Sequence, residues 1–200
     1  MPSFFGPSRK EIWEKLCQET GADYINGGFW KGDKVQLTVR NWTITLDIYT
    51  ISTGKSHQHF TRIRVPFRNK DGFRFMISRR NIFSDIQKFF GMQDIEIGDI
   101  EFDRDFIIKA NDEEKVKRLL SHKIIRELID LQPRIKFEVK DDEGWLGKKF
   151  PDDADELIFK VHGIIKDIEL LKSLFDLFAE TLNYLCESGS AAAYDPGVEL

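Results

Sequence analysis

Apolar residues alternate with polar ones at Val35, Leu37 and Val39, then again at Trp42, Ile44, Leu46 and Ile48, so odd positions give way to even ones across Arg40-Asn41. Strand side chains have a period of two, and a change of parity requires a turn or bulge between the two runs. A hairpin across Arg40-Asn41 follows, which commits this part of the chain to antiparallel sheet with one buried face. Ser52-Thr53-Gly54-Lys55 supplies the next turn, after which Thr61, Ile63, Val65 and Phe67 alternate with Arg62 and Arg64. Asn69-Lys70-Asp71-Gly72 has hairpin-turn chemistry and leads into Phe73, Phe75 and Ile77, with Arg74 on the other parity. Residues 60–80 therefore read as one hairpin with an apolar face and an arginine face.

Helical spacing flanks this sheet region. Ser8 and Glu11 have the spacing of a capping box ahead of Ile12, Trp13 and Leu16, and Gly21 is placed to stop the helix. Ile82, Phe83, Ile86, Phe89 and Phe90 have helical spacing before Gly91. Ile95 and Ile97 then give way to Ile100, Phe102, Phe106 and Ile108 across a parity change at Gly98-Asp99, which reads as two short strands or one bulged strand. Asp112, Glu113 and Glu114 favour a helix N-terminus, with Val116, Leu119, Leu120, Ile124, Leu128 and Leu131 as a buried stripe before Pro133. Strand signals return at Ile135, Phe137 and Val139 and at Leu157, Phe159 and Val161. A last helix runs from Asp167 through Leu171, Leu174, Phe175, Phe178, Leu182 and Leu185 toward Gly189.

These elements predict an α+β fold: an antiparallel or mixed sheet of about six to eight strands, helices packed on one face, and a long C-terminal helix covering the core. Residues 1–189 read as a single domain and 190–200 as a loose tail. Seventeen phenylalanines, each able to bury on the order of 150–250 Å², fit a filled aromatic core. A net charge of -4 gives no general attraction to nucleic acid or to anionic membranes. No leader pattern and no apolar run of about 18 residues occurs, so the expectation is a cytoplasmic protein without a membrane span. Cys17 and Cys186, far apart on expected helices, read as reduced thiols.

Charge is the most distinctive functional signal. Between Phe60 and Arg80 stand Arg62, Arg64, Arg68, Lys70, Arg74, Arg79 and Arg80 against Asp71 alone, whereas Asp94, Glu96, Asp99, Glu101, Asp103 and Asp105 face only Arg104 between Met92 and Asp105. Arg62, Arg64, Arg74, Arg79 and Arg80 form a candidate anion or partner surface. Phe67, Phe73 and Phe75 fall on the opposite face, away from any base they would stack on, which argues against nucleic acid. His57 and His59 share a strand face, and with Asp94, Asp99, Asp103 and Asp105 they form a candidate polar cluster for a divalent cation or acid-base pair. Neither group has the spacing of an established metal motif, so no metal and no cofactor is assigned. Thr53-Gly54-Lys55-Ser56 resembles the end of a phosphate-binding loop, but Tyr49 stands where that loop needs glycine, and no helix follows.

The segment Asp94 to Leu131, DIEIGDIEFDRDFIIKANDEEKVKRLLSHKIIRELIDL, resembles part of a family of uncharacterised bacterial proteins. In that family an acidic residue precedes a Phe-x-x-x-Phe strand, then an aspartate-led helix with paired leucines. Phe102, Phe106, Asp112, Leu119, Leu120 and the strand Arg134 to Val139 carry the resemblance. It implies a bacterial source and lends no functional residue. The leading expectation is a non-enzymatic binding or assembly module with a protein partner or a second copy of itself. The alternatives are an enzyme or ligand receptor with a metal or carboxylate site near His57, His59 and 94–105, and an anion or nucleic-acid binder through the arginine hairpin.

Overall fold

The computed structural model describes residues 6–28, 32–54, 56–81, 94–141, 150–151, 153–194, 196–198 and 200. Ser8 caps the first helix, α1 (Arg9–Thr20), through the reciprocal box with Glu11, and Gly21 closes it at a left-handed φ of 74°. Strands β1 (Asp23–Ile25), β2 (Lys34–Val39), β3 (Trp42–Thr53) and β4 (Ser56–Arg68) follow as an antiparallel meander. The parity change is a two-residue turn, since Val39 pairs with Trp42. Arg40 takes the positive φ of 54° that this turn needs, a conformation costing roughly 1–2 kcal/mol for a residue with a Cβ. The next turn places Gly54 in the same region at φ 58°, where glycine has no such penalty.

After β4 come β5 (Phe75–Arg79), α2 (Ile100–Asp105), β6 (Phe106–Ala110), α3 (Glu113–Ser121), α4 (Lys123–Asp130), β7 (Lys136–Lys140), β8 (Ala154–His162) and α5 (Ile168–Glu187). All eight strands join one antiparallel sheet in the order β1-β2-β3-β4-β8-β7-β5-β6, so the α+β architecture with its C-terminal helix is the observed one. One row of paired residues crosses every strand: Tyr24, Val35, Leu46, Ile63, Phe159, Phe137, Ile77 and Ile108. From Val35 onward all of them are buried. The helix α5 lies on this face, with the Phe178 ring 5.3 Å from Phe137, which also meets Phe75 at 5.7 Å.

Three sequence expectations are corrected. Residues 69–72 do turn, with Gly72 at φ 69°, but β4 and β5 are not hairpin partners, because β8 and β7 lie between them. Alternation assigns faces within a strand and does not choose its neighbour. Asp94 to Asp105 contains no strand: Asp99 instead caps the short helix α2, accepting from the Phe102 amide. The helix expected from Asp112 through Leu131 is two helices, broken at His122, which has an extended ψ of 107°. The break rotates the apolar stripe, so Ile125 and Ile129 are buried while Ile124 and Leu131 are 50% and 60% exposed. The helix expected at 82–90 lies outside the described residues.

The first residues after α5 pack against the end of β4. Ser190 and Ala191 are buried. The Lys70 amide donates to the Ser190 carbonyl at 2.8 Å, and the Ala192 amide to the Arg68 carbonyl at 3.0 Å. No helix among the described residues is long and apolar enough to cross a membrane.

Phe137 is fully buried at the centre of this arrangement. Phe137→Ala is expected to cost about 4 kcal/mol, in the range for a large aromatic removed from a packed core, read as a lowered midpoint in denaturant unfolding. A loss under about 1 kcal/mol contradicts the packing described.

Candidate functional site

The two-residue turn at Gly54 sets the β3–β4 register, so Asp47 stands opposite Arg62 and Thr45 opposite Arg64. These side chains lie on the sheet face away from α5. The Asp47 carboxylate receives Arg62 through two bonds of 2.8 and 2.7 Å and Arg64 through a third of 3.1 Å. On the far side of β4, Glu156 approaches Arg64 at 3.7 Å, and its Oε1 has no hydrogen-bond partner among the described residues. Burial pushes the Arg64 pKa below its ordinary value, helped by the charge of Arg62 and opposed by Asp47 and Glu156. Burial also raises the Glu156 carboxyl above its ordinary range, against the pull of Arg64 and Arg62. Desolvation thus outweighs attraction for the Arg64–Glu156 pair. The charged row continues on β7, where Glu138 receives Lys140 at 2.7 Å.

The other predicted arginines are elsewhere. Arg74 precedes β5 and reaches back to Asp155 at 3.1 and 3.2 Å and to Asp141 at 3.0 Å. Arg79 holds the carbonyls of Gln132 and Asp130 and lies over the Phe106 ring at 4.5 Å. Arg80 lies 3.5 Å from Asp94 and donates to the Asp103 carbonyl at 3.0 Å. The five arginines therefore occupy several places, and each one faces a carboxylate. Only Arg79 and Arg80 meet acids of the 94–105 block.

The predicted polar cluster is not brought together either. His57 and His59 stand exposed near the β3–β4 turn, each bonded through Nδ1 to a hydroxyl across the hairpin, Ser52 at 2.8 Å and Thr50 at 2.9 Å. Residues 94–105 lead into β6, the far edge strand, with β8, β7 and β5 between it and β4. Their acids have structural work: Asp99 caps α2, Asp103 accepts from the amides of Ile97 and Gly98 at 2.9 Å each, and Asp105 pairs with Arg104 at 2.8 Å. Among the described residues, no three His, Cys, Asp or Glu side chains group to hold a metal ion.

What the fold does build is a cavity of about 840 Å³ on the charged face of the sheet, over β2, β3 and β4. Gln36, Thr43, Thr45, Asp47, Arg62 and Pro66 line it from the strands. Ile25 lines it from the end of β1, Asn26, Gly27, Gly32 and Asp33 from the β1–β2 connection, and Val198 and Leu200 from the chain's last residues. Asp33 anchors that connection, accepting from the Tyr24 hydroxyl at 2.8 Å, the Gly27 amide at 3.3 Å and Arg9 at 3.1 Å. The Tyr24 bond is the main cause that holds Asp33 below the ordinary carboxyl range, against burial. Burial and the bond to Asp33 in turn push the Tyr24 phenol up to about 12.

Asp47, Glu156, Gln36 and Asp33 were not singled out from the sequence. A signal existed for Asp47, because the Gly54 turn, counted back along both strands, puts it beside Arg62. Glu156 had none, since β4 and β8 are distant in sequence and meet only in the folded sheet. No family model, no curated protein and no solved structure matches the chain.

Two predictions follow from these contacts. Asp47→Ala, which removes the carboxylate that two arginines share, is expected to cost about 3 kcal/mol, whereas Glu156→Gln changes stability by under about 1 kcal/mol because the carboxylate it replaces is already poorly solvated. Equal losses in chemical denaturation would overturn this ranking. Asp33 titrates below its ordinary value of 3.8, so its anchoring is complete above that pH and is lost as pH falls through the lower folded value. The Gly27 amide resonance should titrate with a midpoint under 3.8 that Tyr24→Phe raises. A midpoint unmoved by Tyr24→Phe contradicts the assignment.

Proposed function

We propose that this chain is a non-enzymatic binding module whose ligand enters the cavity over β2, β3 and β4. The observation that carries the reading is that cavity itself: about 840 Å³ falls among ligand sites of roughly 300–1,000 Å³. Its lining mixes apolar surface from Ile25, Pro66 and Val198 with the neutral polar side chains of Asn26, Gln36 and Thr43. Its two carboxylates are already committed, Asp47 to Arg62 and Arg64 and Asp33 to Tyr24 and Arg9. A carboxylate held by such donors is a poor general base, which favours binding over catalysis.

The alternatives have less support. A metal or carboxylate site at His57, His59 and the 94–105 acids needs groups that the sheet order separates. An anion or nucleic-acid platform needs cations not already facing acids, and Arg62, Arg64, Arg74, Arg79 and Arg80 each face one. A bacterial, cytoplasmic setting and kinship to the uncharacterised family remain part of the same proposal.

A fragment library screened by amide resonances of isotope-labelled protein tests the reading. Expected are hits with Kd below about 1 mM that shift Gly27, Gly32, Thr43 and Thr45 together and are lost in Gln36→Trp, which fills the cavity. Hits confined to other surfaces, or hits indifferent to Gln36→Trp, would sink it.

A further inference from the structure

One wall of the cavity is the chain's own last segment. Past α5 the backbone pairs with Arg68 and Lys70 through Ser190 and Ala192, and the Ser190 hydroxyl donates to Asp71 at 2.8 Å. The Asn41 side-chain amide, at the β2–β3 turn, donates to the Ala193 carbonyl at 2.7 Å, and the Arg68 guanidinium lies over the Tyr194 ring at 5.3 Å. Pro196 is buried. Gly197, exposed and at φ 74°, supplies a bend that a residue with a Cβ adopts only with strain. Val198 and Leu200 then line the cavity, and the Lys34 ammonium donates to the main-chain oxygen of Leu200 at 2.9 Å.

The segment thus begins beside the end of β4, passes the β2–β3 turn and comes to rest on the charged face of the sheet. Side chains of the β2–β3 turn and of β2 donate to its main-chain oxygens, Asn41 to Ala193 and Lys34 to Leu200. Its aliphatic residues Val198 and Leu200, two apart, are part of the lining. Main-chain recognition combined with pockets for alternate side chains is how proteins read peptides.

We infer that the charged face of the sheet along this wall of the cavity is a peptide-recognition site and that Val198 and Leu200 are its resident occupants. The ligand class is a segment of a partner protein with two aliphatic side chains spaced by two, its main-chain oxygen received by Lys34. The resident segment competes with it. This rests on the cavity being the binding site. A site closed by its own chain for most of the time binds an incoming peptide more weakly by the fraction of time it is open.

The probe is a fluorescein-labelled synthetic peptide of residues 193–200, followed by fluorescence anisotropy with the full chain. Val198→Asp/Leu200→Asp, which clears the resident segment, is expected to bind the probe at least tenfold tighter than the unaltered chain. Adding Lys34→Ala to that variant weakens binding at least fivefold, and a probe with both aliphatic residues replaced by aspartate does not bind. Val198→Ser/Leu200→Ser repeats the measurement should the aspartates unfold the protein. In the unaltered chain, saturating probe speeds hydrogen exchange at the Val198 amide. Equal binding to the cleared and unaltered chains, or no binding to a cleared chain with unchanged circular dichroism, overturns the inference. If fragments still shift Gly27 and Thr45 in that case, the cavity remains a binding site and only its peptide ligand is lost.

Discussion

The row from Tyr24 to Ile108, with one residue from each strand, is the constraint on which the rest of the structure depends. Side chains alternate strictly along a strand, so a slip of one residue would turn Arg64, Glu156 and Glu138 under the helices and push Ile63, Leu157 and Phe137 to the other face. Removing such charges from their partners costs several kcal/mol each. Burying a phenylalanine contributes about 1.5–3 kcal/mol. Both faces therefore select the same register, and α5 settles on the aromatic one through Phe178 over Phe137.

Register then decides what the charges do. Asp47 sits directly opposite Arg62 and diagonally from Arg64, so one carboxylate satisfies two guanidinium groups. Arg62 is held further by the Tyr49 ring, 5.0 Å below its guanidinium. These contacts tie the side chains of the cavity floor to one another. Its walls are of another kind, a connection tied down by Asp33 and a terminal segment held by Asn41 and Lys34. On the proposed reading, that last segment is the part of the site that gives way to an incoming peptide.

Local chemistry was legible in the sequence wherever one segment decides the outcome. The box of Ser8 with Glu11, the caps at Asp112 and Asp167, and the turns at Arg40-Asn41 and Gly54 stand where their residue types put them. Local reading failed where two explanations share one pattern. The spacing from Val116 to Leu131 fits one helix, yet the break at His122 gives two with different buried sides. Asp94, Asp99, Asp103 and Asp105 look like a strand edge or a cation site, and they serve in caps, amide contacts and ion pairs instead.

The sequence by itself determined the faces of the strands, the starts of α1, α3 and α5 and the β2–β3–β4 meander. With that meander came the contact of Asp47 with Arg62, because two-residue turns couple register to the position of the turn. Only the tertiary structure decided that β8 and β7 come between β4 and β5, which scatters the arginines of residues 60–80 among different acids. It also brought Glu156 to Arg64 and the last residues of the chain to Lys34. The physical reason is that a strand's alternation specifies which side is buried, whereas its neighbour is chosen by how all the strands and helices together cover the aromatic core.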